Sequence, residues 1–217
     1  MSKKSMYFIG TLLSFLFITS VARAEVDQEV AYILNTFSFL VCGFLVMWMA
    51  AGFLFLESGL VTTRSVSTIA AKNIGKFAIV SVVFYLFGYN LGYSVPEGGI
   101  LGTPSMWTDN SSIETGYSDA SDWFFQALFV CATCSIVSGA VAERIKIWPF
   151  FIFAAVLGGV IYPIQMGWEW GGGWLDALGF ADFAGSTLVH ACGGSAALAG
   201  VILLGPRLGR FSESGEP

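Results

Sequence analysis

The chain has 217 residues, of which 55% are hydrophobic and 12% are charged, and its formal net charge is −5. Soluble domains carry about 25% charged residues, so this composition excludes an ordinary soluble domain, and the apolar content excludes a disordered chain. Four cysteines are too few for a disulfide scaffold, and the net negative charge offers no basic surface to nucleic acid. An integral membrane protein is the class that remains.

Residues 1–24 have the three parts of a secretory signal peptide. A basic start is followed by an apolar stretch over residues 7–21 and by small residues at the cleavage positions, Ala22 and Ala24. We therefore predict cleavage after Ala24, which leaves residues 25–217 as the mature membrane domain. The alternative is an uncleaved first membrane helix.

Five further windows without a charged residue follow, and each is at least 20 residues long. A helix of about 20 residues crosses the hydrocarbon core of a bilayer, whereas the strands of a β-barrel alternate apolar with polar residues. These windows are continuously apolar, so the sequence predicts an all-α polytopic membrane protein with five transmembrane helices after a cleaved signal peptide. The predicted spans are residues 30–56, 77–96, 123–142, 147–168 and 183–206.

The basic residues of the predicted mature chain are distributed unevenly. All seven fall after the first span, between the third and fourth spans, or after the fifth, whereas the other two connections carry acidic residues. By the positive-inside rule the basic segments are cytoplasmic, and the mature N-terminus is outside the inner (plasma) membrane, as a cleaved signal also predicts. The seven residues are Arg64, Lys72, Lys76, Arg144, Lys146, Arg207 and Arg210.

His190 is the only histidine, and it lies inside the predicted fifth span at a depth of about 12 Å. An ionisable residue near the bilayer midplane is a candidate functional residue, because its burial there is costly. A neutral imidazole can hydrogen-bond a small polar solute or relay a proton. The alternative is a neutral histidine that is bonded to a neighbouring helix.

The segment 168–174 (WEWGGGW) joins the fourth and fifth predicted spans and combines three tryptophans, an acid and a glycine triplet. An aromatic belt at the membrane surface beside a flexible turn explains most of this composition. An indole face near acidic residues also attracts a small cation, so a cation site is the alternative.

Other polar residues have structural interpretations. Asp182 precedes the fifth span and is predicted to cap its N-terminus. Glu57 is a helix-end residue unless it has a buried partner, and Glu143 with Arg144 is predicted to form an interfacial pair. The Cys-x-x-Cys sequence that begins at Cys131 lies inside a span and is predicted to pack as small apolar side chains rather than to bind metal.

Four strings together resemble those of the ammonium transporter (Amt/Mep/Rh) family, in its bacterial branch. They are residues 125–129 (FQALF), 139–144 (GAVAER), 170–173 (WGGG) and 182–190 (DFAGSTLVH). The last string is the most specific, and the resemblance extends over the whole predicted mature chain.

The resemblance implies a fold of eleven spans, in which two inverted five-helix repeats are followed by a last helix, and this chain corresponds to the first repeat. Transport of ammonium is implied rather than enzymatic catalysis, with no cofactor and no metal. Trp170 would border the outer ammonium site, with Phe129 as a gate ring beneath it and Phe125 on the same substrate pathway. His190 would be the first of two pore histidines, and Asp182 would maintain local structure and field.

The resemblance also implies partners. These are ammonium or ammonia as substrate, membrane lipid, two further copies in a homotrimer of the full-length protein, and a cytoplasmic regulator of the PII type. The helices that complete the family's pore would follow residue 217, so we expect a fragment of a longer transporter that does not conduct alone. An ammonium sensor and a non-conducting assembly fragment are the alternatives.

The signal peptide prediction has a direct test. We expect protein extracted from the membrane to begin at Glu25, because the cleavage site follows Ala24. N-terminal sequencing measures this. A chain that still begins at Met1 or Ser2 would contradict the prediction.

Overall fold

The computed structural model describes residues 26–212 and 214–216, and the predicted signal peptide lies outside the described residues. The described chain is helical, without a strand, and five of its helices are long and apolar enough to cross a membrane. The predicted all-α class with five spans is confirmed. The helices are α1 Gln28–Gly59, α2 Thr63–Tyr93, α3 Asp119–Ala140, α4 Ile147–Gly167 and α5 Ser186–Leu204.

The α2–α3 and α4–α5 connections are the long ones, and they pack on each other at the same end of the bundle. The first contains a short 3₁₀ turn at Ile113–Thr115 and the second a single helical turn at Trp174–Ala177. Backbone hydrogen bonds join them, from Gly98 N to Gly172 O at 3.1 Å and from Trp174 N to Gly99 O at 2.9 Å. This junction fixes the tryptophan-rich segment over the ends of the helices.

Helix α3 is the centre of the bundle, because it packs against α1, α2 and α5 and is the most buried of the five. Its buried side chains are small, so the neighbouring helices approach closely, as membrane helices do at small-residue interfaces. Cys131 and Cys134 are both fully buried here. Their thiols face the carbonyls of Phe77 in α2 and Ala154 in α4, at 3.9 and 3.8 Å.

Helix α2 begins at Thr63, much earlier than the predicted start of the second span at residue 77. The prediction was wrong because it treated Lys72 and Lys76 as residues of a solvated loop. Both lysines lie within the helix, and both are buried in the bundle. A charge can remain inside a membrane helix when other polar groups in the protein interior bind it.

Glu57 of α1 and Lys72 of α2 form such a buried pair. The Lys72 Nζ atom lies 3.6 Å from Glu57 Oε2, and both side chains are almost completely inaccessible. Ser138 of α3 binds both partners, because its hydroxyl donates to Glu57 Oε2 at 2.7 Å and its carbonyl accepts from Lys72 Nζ at 2.8 Å. The buried-partner alternative for Glu57 is therefore confirmed, and three helices are joined through polar contacts.

Lys76 lies one turn further along α2 and is also fully buried. Its Nζ atom donates to Asn73 Oδ1 at 3.0 Å and to the hydroxyl of Ser135 on α3. Lys76 therefore forms a second polar link between α2 and α3, with uncharged partners.

The predicted pair of Glu143 with Arg144 is not the one that forms. Glu143 lies 3.7 Å from Arg207, beyond the end of α5, and also accepts hydrogen bonds from the backbone and hydroxyl of Thr62. Arg144 instead donates to the carbonyls of Ala140 and Gly205. Adjacent residues in the turn after α3 point in different directions, so each side chain joins a different neighbour.

Three of the spans contain a π-helical turn. These turns are Phe84–Gly88 in α2, Leu157–Ile161 in α4 and Ser186–Ala191 at the start of α5. The turns of α2 and α4 contact each other. Such turns occur frequently at functional sites, and the one in α5 carries His190.

Replacement of Glu57 by Leu should destabilise the bundle by about 3 kcal/mol, because Lys72 then remains buried without its anionic partner. The double variant Glu57→Leu/Lys72→Met should be less damaged than Glu57→Leu alone. Unfolding in mixed micelles, followed by circular dichroism, measures both effects. Glu29→Gln, at the exposed start of the same helix, is the matched control, and equal stability of Glu57→Leu and this control would contradict the prediction.

Candidate functional site

The segment before α5 is organised by one carboxylate. Asp182 is buried, and its two oxygens accept hydrogen bonds from four consecutive backbone amides. Gly185 has a φ of +83°, which turns the chain so that these amides converge on the carboxylate. The donors are Gly185 N at 2.8 Å, Ser186 N at 3.0 Å, Thr187 N at 2.7 Å and Leu188 N at 2.8 Å.

The predicted capping role of Asp182 is therefore confirmed, with four amides where an ordinary cap binds one. Burial of the side chain favours the neutral acid, but the four hydrogen bonds outweigh it and hold the pKa of Asp182 below its usual value. The residue is a fixed negative charge at the start of α5, where the helix dipole also favours an anion.

Trp170 is held by the same residue. Its indole Nε1 donates to the backbone carbonyl of Asp182 at 2.7 Å, which fixes the plane of the ring. The chain after it passes close to the end of α2, since a β-carbon on Gly171 would lie 2.1 Å from the carbonyl oxygen of Gly92. Only glycine fits at this position, whereas Gly172 has a φ of +74° and serves the turn.

Glu169, the neighbour of Trp170, completes this segment. Its Oε1 atom accepts from the backbone amide of Asp182 at 2.9 Å. Burial, followed by the charges of Asp182 and Asp176, raises the pKa of Glu169, although the hydrogen bond from Asp182 opposes the shift. Two acids beside the indole therefore differ in character, since Asp182 is firmly ionised and Glu169 binds a proton more readily.

Aromatic rings line a cavity of about 600 Å³ next to Trp170. The ring of Phe129 lies 5.7 Å from that of Trp170, and Phe125 lies 4.8 Å from Phe129, so three mutually tilted rings form a continuous row. Three of the predicted site residues are thus brought together. The cavity is lined by Tyr93, Tyr117, Asp122, Phe125, Gln126, Phe129, Trp170, Phe183 and Ala184.

Asp122 is the acidic residue of this cavity. The predicted third span begins at residue 123, so the sequence assigned Asp122 to the connection before it. It lies in the first turn of α3, is buried, and accepts a hydrogen bond from the hydroxyl of Tyr89 at 2.6 Å. Its spacing from Phe125 and Phe129, three and seven residues later, places all three on one face of a helix. The sequence alone could therefore have assigned Asp122 to the helix face that carries the two phenylalanines.

Tyr117 closes the cavity from the α2–α3 connection. Burial, together with the charges of Asp122 and Asp119, raises the pKa of Tyr117, so its hydroxyl stays protonated and can donate. The cavity therefore offers aromatic faces, one buried acid and a phenolic hydroxyl.

His190 lies in the π-helical turn of α5 and is not among the residues that line the cavity. Its Nδ1 atom is 3.2 Å from the carbonyl oxygen of Gly185, and its side chain is exposed in the described structure. Ser186 and Thr187, in the same turn, are also exposed. The structure thus groups Trp170 with the phenylalanines and leaves His190 on a separate, open face.

The fold and this cavity define a class, a polytopic helical membrane protein with an aromatic-lined cavity at one end. The Ammonium Transporter Family model matches residues 37–217, so the chain belongs to that family. It is 43% identical over 214 residues to a Synechocystis sp. protein that bears an ammonium transporter name. It is 42% identical over 188 residues to ammonium transporter Amt2 of Archaeoglobus fulgidus.

The matches extend over most of this chain but only part of each relative. They cover 94% and 82% of this chain, and 48% and 40% of the Synechocystis and Archaeoglobus proteins, respectively. The chain thus spans about half the length of the curated relatives that it matches.

Solved structures agree on the fold. A structure titled Sensor Amt Protein superposes with a TM-score of 0.80 at 29% identity, over 88% of this chain and 49% of its own. Mep2 of Saccharomyces cerevisiae superposes with a TM-score of 0.74 at 25% identity, over 90% and 46% respectively.

Asp182→Asn should lower stability by about 1–2 kcal/mol, because one carboxylate oxygen that binds two amides becomes an amide group that cannot accept. The pKa of Asp182 is lower in the folded than in the unfolded chain. Its stabilisation is therefore complete above the unfolded value of about 3.9 and is lost as the pH falls through the folded value.

Amide hydrogen exchange of residues 185–188, measured across this pH range, tests the prediction. Protection of these amides, taken relative to the intrinsic exchange rate at each pH, should fall in Asp182→Asn and should no longer depend on pH. Asp176→Asn, an exposed acid in the same connection, is the control. Unchanged protection of the four amides in Asp182→Asn would show that the carboxylate does not organise the turn.

Proposed function

We propose that the chain binds ammonium at the cavity beside Trp170 and forms part of a transmembrane ammonium pathway. The row of tilted rings of Trp170, Phe129 and Phe125 next to the carboxylate of Asp122 supports this most directly. Aromatic faces attract a small cation, and a buried acid adds a compensating charge. Membership of the ammonium transporter family, and the transporter names of the relatives, agree with this ligand.

The recognition step uses Trp170. Ammonium presents a compact charge and N–H donors, so it is attracted to the indole face while its hydrogens reach oxygen atoms of the cavity wall. Asp182 contributes as a positioning residue, because its carbonyl fixes the indole and its carboxylate is occupied by backbone amides.

The phenylalanines make the next step selective. Phe125 and Phe129 offer no hydrogen-bond acceptors, so passage along their rings removes water from the ion and penalises the charged form. The ion then gives its proton to the carboxylate of Asp122 in the cavity wall, and ammonia passes on as a neutral molecule. His190 supports the following step in this proposal, since a neutral imidazole can exchange hydrogen bonds with ammonia.

An ammonium sensor is the second candidate function. The structure titled Sensor Amt Protein supports it, because its fold superposes closely on this chain. The cavity itself suits either function, as both begin with recognition of the same ion. Binding without flux would favour the sensor.

The proposed orientation places the short basic connections in the cytoplasm and the cavity at the outer surface of the inner membrane. Arg64, Lys146 and Arg207 all lie at the end of the bundle opposite the cavity, which supports this orientation by the positive-inside rule. A homotrimer and a regulator of the PII type are further proposals that follow from the family resemblance.

Labelling of single introduced cysteines tests the orientation. A membrane-impermeant maleimide should label Ser112→Cys in intact cells and should label Ser65→Cys only after lysis. The unmodified chain, whose four cysteines lie within α1, α3 and α5, is the background control. The reverse labelling pattern would invert the proposed orientation.

Trp170→Leu should weaken methylammonium binding to the purified chain by about 1–2 kcal/mol, or roughly five- to thirtyfold in Kd, because the cation loses its aromatic partner. Titration calorimetry in detergent measures the affinity. Trp148→Leu, which removes an exposed tryptophan of α4, is the matched control and should bind normally. Equal affinities of the two variants would reject the cation–π role.

A further inference from the structure

Glu169 and Trp170 are consecutive, and the side chains of both bind the backbone of Asp182 across the α4–α5 connection. Glu169 Oε1 accepts from Asp182 N at 2.9 Å, whereas Trp170 Nε1 donates to Asp182 O at 2.7 Å. The amide and the carbonyl belong to one residue, so a change at the first bond is transmitted to the second. The proposed ammonium pathway uses the indole but not the carboxylate beside it.

The backbone of Glu169 is fixed, so only its side chain is free to rearrange. Its amide donates to the carbonyl of Met166 at 3.2 Å, and its carbonyl accepts from Gly172 N at 2.9 Å. A rotation of the carboxyl group therefore leaves the end of α4 in place and acts on the amide of Asp182.

The carboxylate of Glu169 is only half satisfied. Its Oε1 atom binds the amide of Asp182, but its Oε2 atom is buried and has no hydrogen-bond partner among the residues that the structure describes. A proton on Oε2 creates an O–H donor that must turn toward a new acceptor, since an unpaired buried donor is costly. A neutral carboxyl group is also a weaker acceptor than a carboxylate, so protonation loosens the bond to Asp182.

The surroundings of Glu169 favour proton binding. Burial, followed by the negative charges of Asp182 and Asp176, raises its pKa against the opposing hydrogen bond from Asp182. Both ion pairs found within residues 26–212 and 214–216 lie at the opposite end of the bundle, so neither holds Glu169 ionised. The other titratable groups of the elements packed around this connection are Glu97 before α3, Asp122 of α3 and His190 of α5.

We propose, on the basis of the ammonium site proposed above, that Glu169 is a positioning residue for Trp170 and that protonation of Glu169 weakens recognition of the cation. The ionised carboxylate holds the amide of Asp182 and thereby the carbonyl that fixes the indole. Protonation loosens this arrangement and also removes a negative charge near the indole, so both effects act against a bound cation. Affinity for ammonium is therefore full above the pKa of Glu169 and falls as the pH decreases through it.

Fluorine NMR of the purified chain labelled with 5-fluorotryptophan tests the positioning role without ammonium, and Trp170→Phe assigns the Trp170 signal. This signal should move between about pH 8 and about pH 5, and the movement should vanish in Glu169→Gln, which keeps an acceptor oxygen but does not titrate. Asp176→Asn, an exposed acid in the same connection, should keep the movement with a midpoint at lower pH, because one negative charge is removed. A signal that moves equally in Glu169→Gln, or that does not move in the parent chain, would overturn the proposal.

Titration calorimetry with methylammonium tests the effect on recognition, since this amine, like that of lysine, stays protonated over the same pH range. The parent chain should bind about threefold more weakly at the lower pH, and Glu169→Gln should bind equally at both. Glu169→Leu, which lacks the acceptor, should bind weakly at both. Asp122 and Asp182 titrate alike in all three proteins, so the differences isolate Glu169.

The binding experiment separates two failures. The same pH dependence in the parent chain and in Glu169→Gln, or normal binding by Glu169→Leu, would overturn the role of Glu169 alone. Absence of methylammonium binding by the parent chain at both pH values would reject the proposed ammonium site, and the role of Glu169 with it.

Discussion

The carboxylate of Asp182 is the group on which the site depends. Four amides at the start of α5 would lack partners without it, and a helix that begins inside a membrane protein has little water to replace them. The backbone of the same residue holds Trp170 through its carbonyl. Gly185, turned by this arrangement, directs its own carbonyl toward His190. One residue therefore sets the indole, the helix start and the histidine relative to one another.

Hydropathy predicted the five spans because the bilayer imposes a length and a composition on any helix that crosses it. The start of α2 could not be predicted in this way, since Lys72 and Lys76 suggest a solvated loop until their buried partners are known. Two of those partners, Glu57 and Ser135, belong to the neighbouring helices α1 and α3. Charge delimits a span only where the charge faces water.

The candidate site was also predicted only in part from the sequence. Trp170, Phe125 and Phe129 were found through the family resemblance, and the structure brings their rings together. Asp122 was overlooked, because an acid just before an apolar window is most simply assigned to a loop. Its role is visible only when the face of α3 that it shares with Phe125 is known to border a cavity. Local spacing contained that information, but the choice of face required the packed bundle.

The π-helical turns indicate where related chains can differ in length. Each of the turns at Phe84–Gly88 and Leu157–Ile161 accommodates one residue more than an α-helical turn, and the helix on either side keeps its packed face. Deletion of one codon there would convert the turn into ordinary α-helix without rotating either half. Descendants of a common ancestor can therefore differ by one residue within a membrane helix, and gaps in their alignments belong at these turns.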